Sequence, residues 1–131
     1  MSRLLPDAAF LDADASFAQQ NYAAARQRYA ALRSKKALRG HPRMTEAALR
    51  LGECHERAGD VEAALALYHA ERLRQVGTTW YDRFKAQEER IAANHSAARS
   101  FYTTARVLKA AETLINSGRA GDALPLLDLL Q

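Results

Sequence analysis

A pattern of small and aromatic residues occurs twice in this chain at a constant spacing, and it restricts the fold more than any other feature. The segment LGECHERAGDVEAALALY (51–68) aligns with DADASFAQQNYAAARQRY (12–29) at an offset of 39 residues. The alignment pairs Ala13 with Gly52, Asn21 with Asp60, Ala25 with Ala64, and Tyr29 with Tyr68. Because small residues recur near the middle of two adjoining helical segments, the pattern predicts closely packed antiparallel helix hairpins.

The presence of Gly52 inside a predicted helix needs a physical reason, since glycine destabilises a helix by about 1 kcal/mol relative to alanine. Closer backbone approach and burial offset that cost where two helices cross. The sequence therefore predicts that Gly52 and Ala64 mark a helix contact. Tyr29 and Tyr68 are then expected to fill the space towards the next hairpin.

The remaining sequence also predicts helix throughout. Alanine, leucine, arginine and glutamate dominate, and no segment alternates apolar and polar residues over the length of a strand. Gly59 suits a left-handed helix end, and Asp60 suits the cap of the next helix. Seven helices are expected, at 6–19, 22–38, 44–58, 61–75, 79–93, 97–116 and 122–130. They form one domain, 1–131, with hairpins at 6–38, 44–76 and 97–130 and an extra helix at 79–93.

The best copy of the pattern resembles the tetratricopeptide repeat (TPR) family. Leu51-Gly52 in the first helix, the turn Gly59-Asp60, and Ala64 and Tyr68 in the second match the family's helix–turn–helix unit. A weaker third copy is AAETLINSGRAGDALPLL (110–127). The offsets of 39 and 59 residues exceed the family's 34, which we interpret as a second helix lengthened through Leu38 and one additional helix. The resemblance implies an all-α, right-handed solenoid.

The resemblance also implies a function, because TPR proteins hold a peptide or helix of another protein on a concave face. The third predicted helix would line that face and form the groove. The residues in question are Arg43, Glu46, Arg50, Glu53 and Arg57. The alternative is a solvent-facing ladder of glutamate–arginine pairs, each contributing only ~0.2–0.5 kcal/mol.

Chemistry-bearing motifs are not found in the sequence. It has no glycine-rich phosphate loop, no metal-binding histidine pair and a single cysteine, Cys54, so no intrachain disulfide can form. The carboxylate pairs Glu88-Glu89 and Asp12/Asp14 are expected to lie on solvated faces. We therefore expect no enzyme, no metal and no cofactor. No apolar run is long enough for a membrane span, and a cytoplasmic location is favoured.

Positive charge is concentrated in one part of the chain. Residues 26–43 include seven lysines and arginines and no acidic residue, against a net charge of +4 for the whole chain. The basic patch consists of Arg33, Lys35, Lys36 and Arg39. An acidic protein partner or an unengaged solvated face is favoured over nucleic acid, because the only aromatic residue of the segment, Tyr29, is needed for packing within the repeat and none is left to stack on bases.

The C-terminal segment DALPLLDLLQ is apolar on nearly every side. Asp122 is expected to cap the last helix, with Pro125 in its first turn. Its leucines are Leu124, Leu126, Leu127, Leu129 and Leu130. Because solenoids normally end in a polar face, we expect this end to dock onto a second copy or another protein.

Two helix faces are expected to belong to the core. Trp80, Phe84 and Ile91 share one face of the fifth predicted helix. The sixth predicted helix places Phe101, Ala105, Leu108 and Ile115 on one face.

Three functions remain open from the sequence. The first is an adaptor or chaperone that binds a segment of a partner protein in the groove. The second is a structural subunit of a larger bacterial assembly, docked through the apolar C-terminal helix. The third, and least favoured, is a basic helical protein associated with nucleic acid.

Overall fold

The computed structural model describes residues 4–96 and 98–131, and every regular element in these two stretches is helical. Eight α-helices are described, together with one short 3₁₀ helix at Lys36–Leu38. The α-helices are α1 (Leu4–Ala18), α2 (Tyr22–Arg33), α3 (Met44–Arg57), α4 (Val61–Arg74), α5 (Trp80–Asn94), α6 (Ala98–Phe101), α7 (Thr104–Asn116) and α8 (Ala120–Asp128).

The chain divides into two compact units, and the boundary falls inside α4, between Ala64 and Leu65. In the N-terminal unit α1 packs on α2 and α2 packs on α3. In the C-terminal unit α7 packs on α8, and α5 contacts α6. The all-helical prediction and the packing of neighbouring helices in pairs are confirmed.

The turns predicted from glycine and polar caps form as expected in the N-terminal unit. Gly59 has a φ of 80°, a conformation that glycine adopts without a side-chain penalty. Asp60 caps α4, because its Oδ1 accepts a hydrogen bond from the Ala63 amide at 3.1 Å. Asn21 caps α2 in the same way, accepting from the Ala24 amide at 3.3 Å.

The small residues of the repeated pattern lie in the protein interior. Ala13, Ala25 and Ala64 are fully buried, and Gly52 is buried on α3. Tyr29 and Tyr68 are buried as well. The Tyr68 ring lies 6.4 Å from that of Phe84 on α5, the following helix. These positions have the burial that close helix packing requires, while the predicted contact of Gly52 with Ala64 stays a prediction.

Two predicted helices differ from the structure. The predicted helix 22–38 ends at Arg33, because Ser34 donates its hydroxyl to the Ala31 carbonyl at 2.7 Å and Lys35 is extended. The chain then forms the short 3₁₀ helix that buries Leu38. The predicted helix 97–116 is divided after Phe101, and Thr103 caps α7 by accepting from the Arg106 amide at 3.2 Å.

The buried face of α7 also differs from the predicted one. The C-terminal unit has a core that contains Tyr81, Val107, Ala110, Ala111, Leu114, Ala123 and Leu126. Leu108 and Ile115, predicted to be internal, are each 51% exposed, and Ala105 is exposed as well. Phe101 is buried, but on α6 rather than on the same helix. On α5 the prediction is better, since Phe84 and Ile91 are fully buried and Trp80 partly so.

The last helix also begins earlier than predicted. α8 starts at Ala120, so Asp122 lies in its first turn instead of at the cap. Pro125 is consequently inside the helix rather than in its first turn.

Candidate functional site

The predicted groove residues of α3 are paired with carboxylates. Arg50 Nη2 lies 2.8 Å from Glu46 Oε1, and its Nη1 lies 2.7 Å from Asp14 Oδ1 on α1. The Arg50 guanidinium also lies 5.6 Å from the centre of the Phe17 ring. Asp14 additionally accepts the Tyr29 hydroxyl. Arg50 is therefore held between α1, α2 and α3.

The two ends of the same row are more loosely held. Arg43 Nε is 3.8 Å from Asp7 Oδ1, and Arg57 Nη2 is 3.4 Å from Glu53 Oε1. Arg57 lies over the Tyr22 ring, with its Cζ 5.0 Å from the ring centre. We call this ion-paired row the α3 ladder; it consists of Arg43, Glu46, Arg50, Glu53 and Arg57.

A cleft of about 680 Å³ opens between α2 and α3 at the end of the ladder that carries Arg57. Its lining is Tyr22, Ala23, Arg26, Gln27, Ala30, Cys54, His55, Arg57 and Ala58. The ionised side chains among these described lining residues are those of Arg26 and Arg57, and the lining includes no carboxylate. The α2–α3 cleft therefore combines apolar contact area with hydrogen-bond donors of positive charge.

His55 gives the α2–α3 cleft a neutral polar group. Burial lowers the pKa of His55, and the positive charges of Arg26 and Arg33 lower it further, against an opposing effect of Asp60. Its Nδ1 is buried and has no hydrogen-bond partner among the described residues. The lowered pKa favours the neutral form of the ring.

Cys54, in the wall of the cleft, is unsuited to nucleophilic chemistry. The thiol is fully buried, and burial together with the Glu53 charge raises its pKa to about 11. A protonated, enclosed thiol is a poor nucleophile. Cys54 consequently acts as a small core residue.

The basic patch lies at the end of α2, which carries Arg33, and in the connection that follows it. Lys35, Lys36 and Arg39 are exposed and form no ion pair with any carboxylate that the structure describes. Arg33 differs from them, because it is half-buried and its charge acts on His55. The patch is thus a solvated positive surface apart from Arg33.

The C-terminal unit contains a buried charged group that the sequence did not predict. Glu88 on α5 is 1% exposed, and its Oε1 accepts from Arg72 Nη1 at 3.1 Å. Its Oε2 lies 2.7 Å from His69 Nδ1 and accepts the Tyr102 hydroxyl at 2.7 Å. We call these four residues the Glu88 cluster.

The prediction that Glu88 lies on a solvated face is therefore wrong, although its neighbour Glu89 is exposed. One sequence signal was available, since Glu88 lies four residues after Phe84 and three before Ile91, on the apolar face of α5. Asp12 is exposed as predicted, whereas Asp14 is partly buried beside Arg50.

The Glu88 cluster is built for structure rather than for proton transfer. Burial alone would raise the pKa of Glu88, but the hydrogen bond and charge of His69, with Tyr102 and Arg72, bring it below its usual value. A carboxylate held ionised by three donors is a poor general acid or base near neutral pH. Arg72 also donates to the Tyr81 hydroxyl, which in turn donates to Asp122 Oδ2 at 2.7 Å.

A cavity of about 130 Å³ adjoins this cluster. Its polar wall consists of Arg72, Glu88, Glu89, Tyr102 and Asp122, and residues of α8 supply much of its apolar wall. Glu89 is paired with Lys85, and the other four side chains each make a hydrogen bond within the unit. The polar wall of the cavity is therefore engaged in contacts of the fold.

The C-terminal leucines divide between core and surface. Leu126 is 5% exposed and Leu127 packs partly against the same core. Leu124, Leu129 and Leu130 are 62%, 50% and 38% exposed. The predicted docking residues are thus reduced to these three exposed side chains.

No cluster of His, Cys, Asp and Glu side chains suited to a metal ion occurs in the described residues, 4–96 and 98–131. Within the same stretches, none of the helices has both the length and the apolar character that crossing a membrane requires. Comparisons with known proteins found no matching family model, no similar curated protein and no similar solved structure.

Proposed function

We propose that this chain is a non-catalytic adaptor that binds a segment of another protein in the α2–α3 cleft. The observation that supports the proposal is the mixed lining of the cleft. Ala23, Ala30 and Ala58 offer apolar area, while Arg26 and Arg57 offer directed hydrogen bonds. Sites that bind protein segments combine these two kinds of contact.

The proposal includes the TPR-like solenoid and assigns the α3 ladder a secondary role. Arg50 is held by two carboxylates at 2.7 and 2.8 Å, so a partner would have to displace both to use it. Arg57 has one ion pair at 3.4 Å and belongs to both the ladder and the cleft. We therefore expect a bound segment to contact the ladder mainly through Arg57.

A cleft-filling substitution tests the adaptor. Ala30→Trp places an indole in the cleft, whereas Ala31→Trp, the matched control, adds the same group at the next exposed position, outside the lining. A displayed library of random peptides is selected on the wild-type protein, and its members are then measured on both variants. We expect peptides that bind wild type and Ala31→Trp but bind Ala30→Trp about tenfold or more weakly.

The adaptor proposal fails if no selected peptide distinguishes Ala30→Trp from Ala31→Trp. Circular dichroism of both variants checks that the indole has left the helices intact. The proposal places the adaptor in the cytoplasm, because its single cysteine leaves no intrachain disulfide to form.

The exposed C-terminal leucines favour a second candidate, a structural subunit that docks through α8. Leu124 on α8 and Leu129 directly after it are at least half exposed, which is unusual for large apolar side chains so close together. Light scattering at micromolar concentration tests it with Leu124→Glu/Leu129→Glu. An oligomer that the double variant converts to a monomer supports docking, and a monomeric wild type argues against self-association. Leu126 is unsuitable for this test because it belongs to the core.

A further inference from the structure

We infer that the segment bound in the α2–α3 cleft is acidic, with its carboxylates held by Arg26 and Arg57. The inference rests on the proposed function and adds the chemical class of the partner. It follows from three features of the described cleft: the sign of its charges, the weak engagement of its arginines and the state of His55.

The charges that line the cleft are of one sign. Arg26 and Arg57 face it from α2 and α3, and no carboxylate is found among its described lining residues. Arg33 adds to the same positive field, because its charge acts on His55 together with that of Arg26. A concave surface lined by one sign of charge concentrates groups of the opposite sign.

Both arginines are available to a partner. Arg26 Nη2 lies 3.4 Å from Asp60 Oδ2, and Arg57 Nη2 lies 3.4 Å from Glu53 Oε1. Each pair is a single long contact between side chains that are more than a third exposed, so water screens it. Each guanidinium keeps further N–H donors with which it can bind a carboxylate in a bidentate manner.

Tyr22 places one of these guanidinium groups before the partner arrives. Arg57 lies over the Tyr22 ring at 5.0 Å, and both residues line the cleft. A stacked guanidinium loses less rotational freedom when it binds a planar anion. Arg57 is therefore the better ordered of the two anchors.

His55 adds a donor that responds to negative charge. The charged groups acting on it are Arg26 and Arg33 on α2 and Asp60 before α4. A bound carboxylate would favour the protonated ring, so the pKa of His55 would be higher in the complex than in the unbound protein. Binding should consequently strengthen as the pH falls from 8 to 6, and His55→Gln should remove most of that pH dependence.

The size of the cleft sets the length of the recognised segment. The lining of α2 runs from Tyr22 to Ala30, about 12 Å along the helix axis. An extended segment advances about 3.3 Å per residue, so about four partner residues fit. Two carboxylates within such a stretch would reach both arginines.

The experiment measures the peptides that depend on the cleft in the Ala30→Trp comparison. We expect them to be enriched in aspartate and glutamate relative to the starting library. Arg26→Gln/Arg57→Gln should weaken their binding about tenfold or more. The matched control is Lys35→Gln/Lys36→Gln, which removes the same charge from the basic patch outside the cleft and should weaken binding no more than about twofold.

The outcomes separate the two proposals. Cleft-dependent peptides without acidic enrichment, or with equal affinity for the two double variants, overturn the acidic partner and leave the adaptor standing. If no cleft-dependent peptide exists, the proposed function itself fails. If a single-stranded oligonucleotide binds more tightly than the best peptide, and Ala30→Trp abolishes that binding, the cleft belongs to a phosphate ligand and the inference is wrong.

Discussion

The two units differ in how far a central ion pair of each is exposed to water. In the N-terminal unit a short ion pair, Arg50 with Asp14 at 2.7 Å, keeps side-chain exposures of 31% and 25%. In the C-terminal unit Arg72 and Glu88 are 3% and 1% exposed, and two further donors complete the carboxylate's hydrogen bonds. The Arg50–Asp14 pair therefore remains within reach of water, whereas the Arg72–Glu88 pair is removed from it.

This difference indicates in which unit a charged side chain can exchange its ion-pair partner for a group of a bound protein. A buried pair repays its desolvation only while every member is present, so the Glu88 cluster is committed to the fold. The exposed pairs of the N-terminal unit contribute little stability, and a partner's carboxylate can take their place. Binding by exchange of ion pairs is thus expected in the N-terminal unit.

The largest predicted effect comes from breaking the Glu88 cluster. Glu88→Ala leaves Arg72 and His69 buried without their acceptor and should lower the free energy of unfolding by about 3–5 kcal/mol. Urea denaturation followed by circular dichroism measures it, and hydrogen exchange of the α5 amides locates it. Glu89→Ala, one residue away and exposed, is the control. Equal effects of the two variants would contradict the contrast between the units.

The matching change in the N-terminal unit should cost less. Asp14→Ala removes the acceptor of the Tyr29 hydroxyl and of Arg50, for an expected loss of about 1.5–3 kcal/mol in the same urea experiment. Asp12→Ala serves as the control, since the Asp12 side chain is 65% exposed in its pair with Arg28. If Asp14→Ala lowered the free energy of unfolding as much as Glu88→Ala, partial exposure would not weaken the contacts of Asp14 with Tyr29 and Arg50.

Lowering the pH should reduce the free energy of unfolding by less than Glu88→Ala or Asp14→Ala does. The pKa of Glu88 lies below its usual value of 4.5 in the folded chain, so its ionised form stabilises the fold above that pH. This contribution decreases as the pH falls below 4.5 towards the lower folded value, because the protonated group loses its charge attraction but keeps some hydrogen bonds. Urea midpoints between pH 6 and 3 measure it. A wild type whose acid sensitivity equals that of Glu88→Gln would refute this assignment.

The smallest effect is expected at the α3 ladder. Glu53→Gln removes the partner of Arg57 and should change the free energy of unfolding by only ~0.2–0.5 kcal/mol. The same variant should tighten binding of cleft-dependent acidic peptides, since Arg57 is released and a repelling charge is removed. Fluorescence polarisation with a labelled peptide measures this, and weaker binding would speak against exchange at Arg57.

Local signals in the sequence predicted much of the fold. Gly59, Asp60 and the repeated small residues gave the hairpin turn and the buried positions, because they act within a few residues of the chain. The break of the predicted helix after Phe101 was missed, although Thr103 is a residue type that caps helices, and the contact made by Tyr102 beside it depends on tertiary packing. The Tyr102 hydroxyl reaches Glu88 on another helix, and Thr103 then starts a new helix. Because Phe101 lies on a separate helix, it does not share a helix face with Leu108 and Ile115, and the prediction that this face is buried was wrong.

The candidate site was predicted only in part. The charges of α3 follow a helical period, so Arg57 was identified, whereas the α2 side of the cleft depends on how two helices pack. Arg26 and Tyr22 had no reason to be chosen from their spacing alone. Glu88 was missed for a different reason: its partners, His69, Arg72 and Tyr102, lie 14 to 19 residues away on other elements, so only tertiary packing brings them to it.

The single tryptophan and the single cysteine lie in different units, so each can report the unfolding of its own unit without an added label. The sole tryptophan, Trp80, belongs to the C-terminal unit, where it sits against Arg83 with 4.6 Å between the guanidinium carbon and the ring centre. The sole cysteine, Cys54, is enclosed in the N-terminal unit. Indole emission therefore follows one half of the molecule and thiol alkylation the other. A urea range in which one signal changes before the other would reveal a half-folded species without any engineered dye.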